Sequence, residues 1–411
     1  MAERSKTFCP LPFIHSHASV NGHWKPCCNS SWKYDTKDGY FVNKKITHQK
    51  WFDGEVMEQL RSDMLSGVKN SMCNVCWKDE EHSGRSIRKR YVDKFSHLVN
   101  EDIHNPQIKY LDLKLSNECN LACRMCDYTN SNLILKDVNE IQKRNLALPE
   151  NWEKSPTHES KMNEKGIKVA PKHIIDEVYS LLPQLRVLKL TGGEPTVSPE
   201  VLKLFEICID EGYAKNLKLN ITTNGTKFNS RFLEKIKHFK DVHLNISCDG
   251  YDKVYNYIRY PFNWNKFAER IDDIAQGNVS FSISTLPQMY NIENLNKLQT
   301  FFNPYFEDGG LQGSIFVNTF LRPENTYNSL NFVPLHILQY ANKKIKRNNN
   351  SHVLKGTLER LIRKNYQPTD ADNIKIVKSI TSIDTVRNQN YKDYLEPMTV
   401  EWLEGLFKKY A

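Results

Sequence analysis

The chain has 411 residues, of which 26% are charged and 39% hydrophobic, and carries a formal net charge of +9. That length exceeds one ordinary domain and suits a large barrel plus a smaller module. No apolar run in Met1–Phe13 is long enough for a secretion signal, and no later stretch reaches the roughly 18 apolar residues of a membrane span, so a cytoplasmic protein with no membrane partner is expected.

The positive charge is spread along the chain. Arg88-Lys89-Arg90 and Lys343-Lys344-Ile345-Lys346-Arg347 are local concentrations. They read as solvated surface, with an acidic substrate or nucleic acid as the other reading. No nucleic-acid-binding signature accompanies them, and nucleic acid is not an expected partner. Ten cysteines say more, because eight of them precede residue 127 in close groups. Without a secretion signal, clustered cysteines argue for metal or iron–sulfur ligation over disulfides.

Taken in chain order, residues 1–104 hold Cys9, Cys27, Cys28, Cys73 and Cys76. Asn21-Gly22, between strand-like flanks, predicts a hairpin that brings Cys9 and Cys27 toward one end. His15 and His17 fall on one face of it, where packing beside the cysteines or surface exposure is expected before catalysis. Val56, Leu60 and Met64 are at helical spacing within 55–66, and Gly67 is a fitting C-cap. That helix would return Cys73-x2-Cys76 to the hairpin. Cys28 is an adjacent spare, suited to packing or to replacing Cys27.

Residues 105–330 alternate strand-like and helix-like segments. Strands are predicted at 108–115, 185–191, 217–223, 242–248, 279–285 and 314–320, with amphipathic stretches such as 199–211, 230–239 and 291–302 between them. This rhythm predicts an α/β fold with a parallel sheet. Six units are too few for a closed eight-stranded barrel, so the expected core is a partial (β/α)6 TIM-like barrel. An N-terminal cysteine-rich hairpin-plus-helix module precedes it, and a helical C-terminal segment, residues 331–411, follows. Leu354–Tyr366 and Val400–Tyr410 are amphipathic and expected to close the barrel's open side or to cap it. The charged stretch 142–168, with Trp152, reads as a substrate lid or a solvated insertion.

Chemistry in such barrels sits on the loops after the strands. Here those loops read Ser116…Cys126, Thr191-Gly192-Gly193-Glu194-Pro195, Thr222-Thr223-Asn224-Gly225 and Ser247-Cys248-Asp249-Gly250. Cys119, Cys123 and Cys126 follow the first barrel strand, close enough for one loop to wrap a cubane cluster. Three thiolates hold three irons and leave the fourth open. A three-thiolate zinc site is the other reading. Cys208, in an apolar helix, reads as a buried small hydrophobe. Cys248, at a strand end, is not counted among the ligands.

The cysteine triple together with Gly192-Gly193-Glu194-Pro195 resembles the radical S-adenosylmethionine (SAM) superfamily, over about residues 107–320. The resemblance implies that the open iron binds the amino and carboxylate groups of SAM. Reductive cleavage then gives methionine and a 5′-deoxyadenosyl radical that abstracts hydrogen from a substrate. It implies cofactor contacts from Gly192, Gly193 and Glu194 to the methionine amino group, and from Thr223 and Asn224 after the third strand. Ser247 and Asp249 would lie near the ribose, and Arg259 would pair with the methionine carboxylate. Thr285-Leu286 is a candidate adenine site.

The N-terminal cysteines resemble the twitch module, a shortened relative of the SPASM domain, although such modules usually follow the barrel. That likeness implies an auxiliary [4Fe–4S] cluster on Cys9, Cys27, Cys73 and Cys76; a structural zinc site is the alternative. Four thiolates would close every iron, which favours electron transfer and a net oxidation. The expected enzyme is a radical SAM oxidoreductase or maturase acting on a peptide or small metabolite, with a reductant such as flavodoxin or ferredoxin. A radical SAM rearrangement or cyclase on a nucleotide-like substrate, and a non-catalytic iron–sulfur or zinc scaffold, are the competing readings.

Overall fold

A computed structural model of the chain describes residues 5–30, 47–84, 86–99, 103–152, 162–228, 230–277, 279–307, 315–317, 327–346 and 352–411. Its eight strands are β1 (His15–Ala18), β2 (Trp24–Lys25), β3 (Tyr110–Lys114), β4 (Val187–Thr191), β5 (Lys218–Thr223), β6 (Asp241–Ser247), β7 (Ser280–Thr285) and β8 (Ile315–Val317). They form one sheet in the order β2-β1-β3-β4-β5-β6-β7-β8. β1 and β3 to β8 pair in parallel, and β2 is antiparallel to β1. This is an α/β architecture consistent with a partial barrel. The six strands expected from the alternation are β3 to β8; Ser314 and residues 318–320 of the last candidate lie outside the described residues.

Alternation along the strands sorts the two faces. Leu111, Leu113, Leu188, Leu190, Leu219, Ile221, Leu244, Ile246, Phe281 and Ile283 are at most 1% exposed. They face the crossover helices: Phe281 lies 5.4 Å, ring to ring, from Phe306. Each such side chain contributes roughly 1.5–3 kcal/mol through burial. The intervening residues are polar, and most are half-buried: Asp112, Lys189, Asn220, His243 and Ser280 form one layer in register, with His17 opposite Asp112. Closed barrels fill this space with bulky branched side chains. Here the inner face is a hydrogen-bonded lining.

The N-terminal hairpin is built into the same sheet, since β1 pairs with β3 from His15↔Tyr110 to Ala18↔Leu113. Its turn runs through Ser19–His23, with Gly22 at φ +80° where a side chain would be strained and would press on Pro171. The Glu55–Leu65 helix follows, ending before Gly67 at φ +82°. It buries Met57, Leu60, Arg61 and Met64, so Met57 and not the expected Val56 faces the core. The Ile87–Phe95 helix lies across the beginnings of the barrel strands: Phe95 is 5.0 Å from Tyr110, and Lys94 is in electrostatic reach of Lys218 and Asp241. The N-terminal region is therefore the barrel's floor.

The C-terminal region contains the helices Leu335–Lys344, His352–Lys364, Asp370–Arg387 and Pro397–Tyr410. The third starts from a Thr369 capping box with Asp372 and runs beside the Ile134–Lys143 helix. Among the described residues, no helix is long and apolar enough to cross a membrane.

Candidate active site at the strand ends

The loop after β3 carries Cys119, Cys123 and Cys126, and the loops after β4, β5 and β6 meet it. Gly193 N–H donates to Ser116 O at 3.0 Å, and Glu194 N–H donates to Glu118 O at 2.7 Å. This approach needs glycine. A Cβ on Gly193 would stand 2.1 Å from Glu118 O, and one on Gly192, at φ +131°, would stand 2.8 Å from Ser116 O. The glycines thus make room for the cysteine loop itself.

Glu194 is buried and ties two loops together. Its Oε1 accepts from Thr196 N at 3.1 Å, Thr196 Oγ1 at 2.7 Å and Thr223 Oγ1 at 2.7 Å, and its Oε2 accepts from Asn224 N at 2.6 Å. Burial pushes its pKa up, against the pull of these donors. Asn224 then reaches the cysteine loop, donating to Asn120 Oδ1 at 2.9 Å and lying 3.8 Å from Cys119 Sγ.

On the other side, Arg259 donates to Asp249 through Nε at 2.8 Å and Nη2 at 2.5 Å. Asp249 also accepts from Leu286 N at 2.7 Å, and Thr285 Oγ1 donates to Cys248 O at 2.7 Å. Ser247 stands at the end of β6, in register with Ser284. Cys208 and Cys248 are fully buried, and Cys248 makes its contact with Gly250 O.

Burial pushes the Cys119 thiol up to about 12, with the Glu194 charge adding and Arg259 opposing. Cys123 is raised first by its hydrogen bond with Cys126, then by burial, again against Arg259. Thiols of this kind ionise when a cationic centre replaces their protons, which is the chemistry of iron–sulfur ligation. The Tyr255 hydroxyl is fully buried, in electrostatic reach of Arg259 and Cys123, and has no hydrogen-bond partner among the described residues. Three thiols, an arginine and an uncommitted donor are a fitting cradle for a cluster and an anionic group.

Two described residues anchor the insertion. Trp152 is fully buried and its indole N–H donates to Cys126 O at 2.8 Å. Lys168 is buried too, its backbone joined to Asn117. Residues 142–145, 147, 150 and 163–165 are exposed, as the solvated expectation has it, while Trp152 and Lys168 depart from it; those at 153–161 lie outside the described residues.

At the floor, every pair among Cys9, Cys27, Cys73 and Cys76 is within electrostatic reach. Burial pushes Cys73 up to about 12 and raises the other three, while Arg88 favours the thiolates of Cys9, Cys73 and Cys76. Arg88 is itself held by Glu80, at 2.8 and 2.6 Å, and by Phe8 O. Cys28 is exposed, and its electrostatic neighbours are Lys189, Asp112 and Lys25 on the sheet's inner side. None of the ten cysteines is in a disulfide. Among the described residues, no three His, Cys, Asp or Glu side chains converge on a single-ion position.

Between these two thiol sets lies the polar inner face. Lys189 Nζ is 2.7 Å from Asp112 Oδ2, and His17 Nδ1 is 3.6 Å from Asp112 Oδ1. Burial disfavours the Asp112 charge, but Lys189 and His17 outweigh it and hold the carboxyl well below its usual range. His243 bonds Ser280 and Ser282, each at 2.9 Å. Lys114 donates to Asn130 at 2.7 Å, and burial lowers it to about 8. The histidines at 15 and 17 belong to this lining: His15 packs edge-on against Tyr110 at 4.4 Å. A four-residue strand reading His-Ser-His-Ala gives no apolar alternation from which that placement could be foreseen.

The chain is similar to several known proteins. The chain is 28% identical to an uncharacterized protein of Methanocaldococcus jannaschii over 46% of this chain and 57% of that one. It is 29% identical to the AdoMet-dependent heme synthase of Methanosarcina barkeri over 31% of this chain and 35% of that one. The chain thus spans from about a third to just over half the length of these curated relatives. Among solved structures, native anSMEcpe with bound AdoMet aligns with a TM-score of 0.35 and 16% identity, covering 67% of this chain and 61% of that one. Residues 113–302, a little under half of the chain, match the model of the radical SAM superfamily.

Proposed function

We propose that this chain is a radical SAM enzyme in which Cys119, Cys123 and Cys126 hold a [4Fe–4S] cluster with one iron open to SAM. Cys9, Cys27, Cys73 and Cys76 hold a second, fully ligated [4Fe–4S] cluster. The carrying observation is the convergence of the strand-end loops on the cysteine loop, through Gly193, Glu194 and Asn224. When bound, the SAM-site cluster supplies the electron that breaks the sulfonium, giving methionine and a 5′-deoxyadenosyl radical that takes hydrogen from the substrate.

The chain's residues bind and orient. Glu194 fixes the loops after β4 and β5 against Cys119, and Gly192 and Gly193 leave backbone near the methionine amino group. Thr223 and Asn224 would face SAM, Ser247 and Asp249 would lie near the ribose, and Arg259, held by Asp249, would turn its guanidinium to the methionine carboxylate. The polar inner face supports a polar substrate, a small metabolite or a peptide segment, held at Lys189, Asp112 and His17. Its place between the two thiol sets supports a net two-electron oxidation, in which a hydrogen atom would leave toward the strand ends, a proton would pass to the polar lining, and the remaining electron would be accepted at the floor.

The test is anaerobic. The purified protein is reduced with dithionite and mixed with SAM, and iron and 5′-deoxyadenosine are measured. About eight irons per chain with SAM cleavage is the expected result. About four irons with cleavage removes the floor cluster, and zinc without cleavage makes the chain a scaffold.

A further inference from the structure

We infer that the Asp370–Arg387 helix, which lies outside the family-matched residues, is part of the SAM-cluster site, and that Arg387 positions the cysteine loop. This inference rests on the proposed function. Arg387 Nη2 donates to Ala122 O at 2.6 Å, in the residue before Cys123. The same guanidinium grips Asp137 through Nε at 2.9 Å and Nη2 at 2.7 Å, and lies 4.8 Å from the Tyr260 ring. Its side chain is wholly shielded from solvent.

One turn earlier on the same helix face, Asp384 binds Arg124, the residue after Cys123. Arg124 is also wholly buried, 3.5 Å from the Tyr257 ring centre and 2.9 Å from Gln389. The opposite edge of the loop is tied as well: Ala122 N donates to Tyr260 O at 2.7 Å and Arg124 N to Ile258 O at 2.9 Å. Cys123 therefore sits between two residues that are each held from both sides. The backbone on either side of Cys123 is thereby fixed. A buried guanidinium bonded to both a carbonyl and a carboxylate is strongly directional, which suits it to set a backbone position.

The experiment uses the full-length chain with Arg387→Met and Arg387→Lys. Three quantities are read: iron per chain after anaerobic reconstitution, the electron paramagnetic resonance (EPR) signal of the reduced protein with and without SAM, and the rate at which a maleimide labels Cys123 in the iron-free chain. Arg387→Met is expected to lose about half the iron, to lower the SAM-sensitive signal at least threefold against the SAM-insensitive one, and to label Cys123 at least tenfold faster. Arg387→Lys is expected to recover most of each, because an ammonium can still reach both Ala122 O and Asp137. Wild-type iron, spectrum and labelling in Arg387→Met overturn the inference, as does a lysine variant no better than methionine.

Should Arg387→Met fail to fold, Asp137→Asn loosens the same guanidinium at constant shape and is expected to move all three readings the same way; no movement overturns the inference. If the wild-type chain takes up no iron, the proposed function fails, while the labelling comparison in the iron-free chain still decides whether Arg387 holds the loop.

Discussion

Glu194 accepts the Thr223 hydroxyl on Oε1 at 2.7 Å while its Oε2 accepts the neighbouring Asn224 N–H at 2.6 Å. The loop after β4 and the loop after β5 therefore move as one. A glutamine at 194 must turn an amide N–H toward one of these donors. We predict that Glu194→Gln costs about 1–3 kcal/mol in thermal or urea unfolding. SAM cleavage should fall at least tenfold with cluster content retained. A variant with wild-type melting and cleavage would show the carboxylate to be dispensable.

Gly193 gives a sharper steric test. Its Cβ would lie 2.1 Å from Glu118 O, a backbone atom that cannot step aside without moving Cys119. Gly193→Ala is expected to lose the SAM-site cluster and keep the floor cluster, so that iron drops from about eight to about four per chain. Gly356→Ala is the control. It lies in the His352–Lys364 helix with open space around it, and should be neutral or stabilising by up to about 1 kcal/mol.

The Asp112–Lys189 pair spans the inner face with Asp112 only 2% exposed. Removing the lysine strands a buried carboxylate, and Lys189→Met is expected to destabilise by about 3–5 kcal/mol, less to the extent that Lys189 remains partly wet. Asp112→Leu combined with Lys189→Met should recover most of that stability. Substrate-independent SAM cleavage should survive in the double variant. Urea melts of the two proteins decide this, and equal losses would contradict it.

Two buried histidines set an acid limit. Burial lowers His48 to about 3, and lowers His15 to about 4 against Asp112 and the bond to Pro26 O. Neutral imidazole is thus the native form of both, and the unfolded chain binds more protons below its ordinary pKa of about 6.5. The stability they contribute is present above that pH and is lost as pH falls toward the folded values. Each contributes a slope of up to about 1.4 kcal/mol per pH unit. In iron-free protein, His48→Gln should flatten the dependence between about pH 6.5 and about 4; an unchanged slope would count against it.

Much of this was legible from residue order. The barrel strands β3 to β8 announce themselves because their outward residues are apolar and turn-forming residues stop each one. The cysteine triple and Gly192-Gly193-Glu194 stand out by spacing, and the structure brings them into contact. What could not be read is long-range. β1 has four residues and no apolar alternation, so nothing local says that it extends the barrel sheet. Trp152 bonds Cys126, and Arg387 bonds Ala122, across 26 and 265 positions of sequence. Contacts of that separation depend on the fold, and neither residue carries a local motif.

The open iron on Cys119, Cys123 and Cys126 is tested most directly in a chain whose Cys9, Cys27, Cys73 and Cys76 are replaced by alanine. After anaerobic reconstitution and reduction, its EPR spectrum is recorded before and after SAM is added. About four irons and a spectrum that shifts with SAM are expected. A cluster whose spectrum ignores SAM, or no cluster at all, would contradict it.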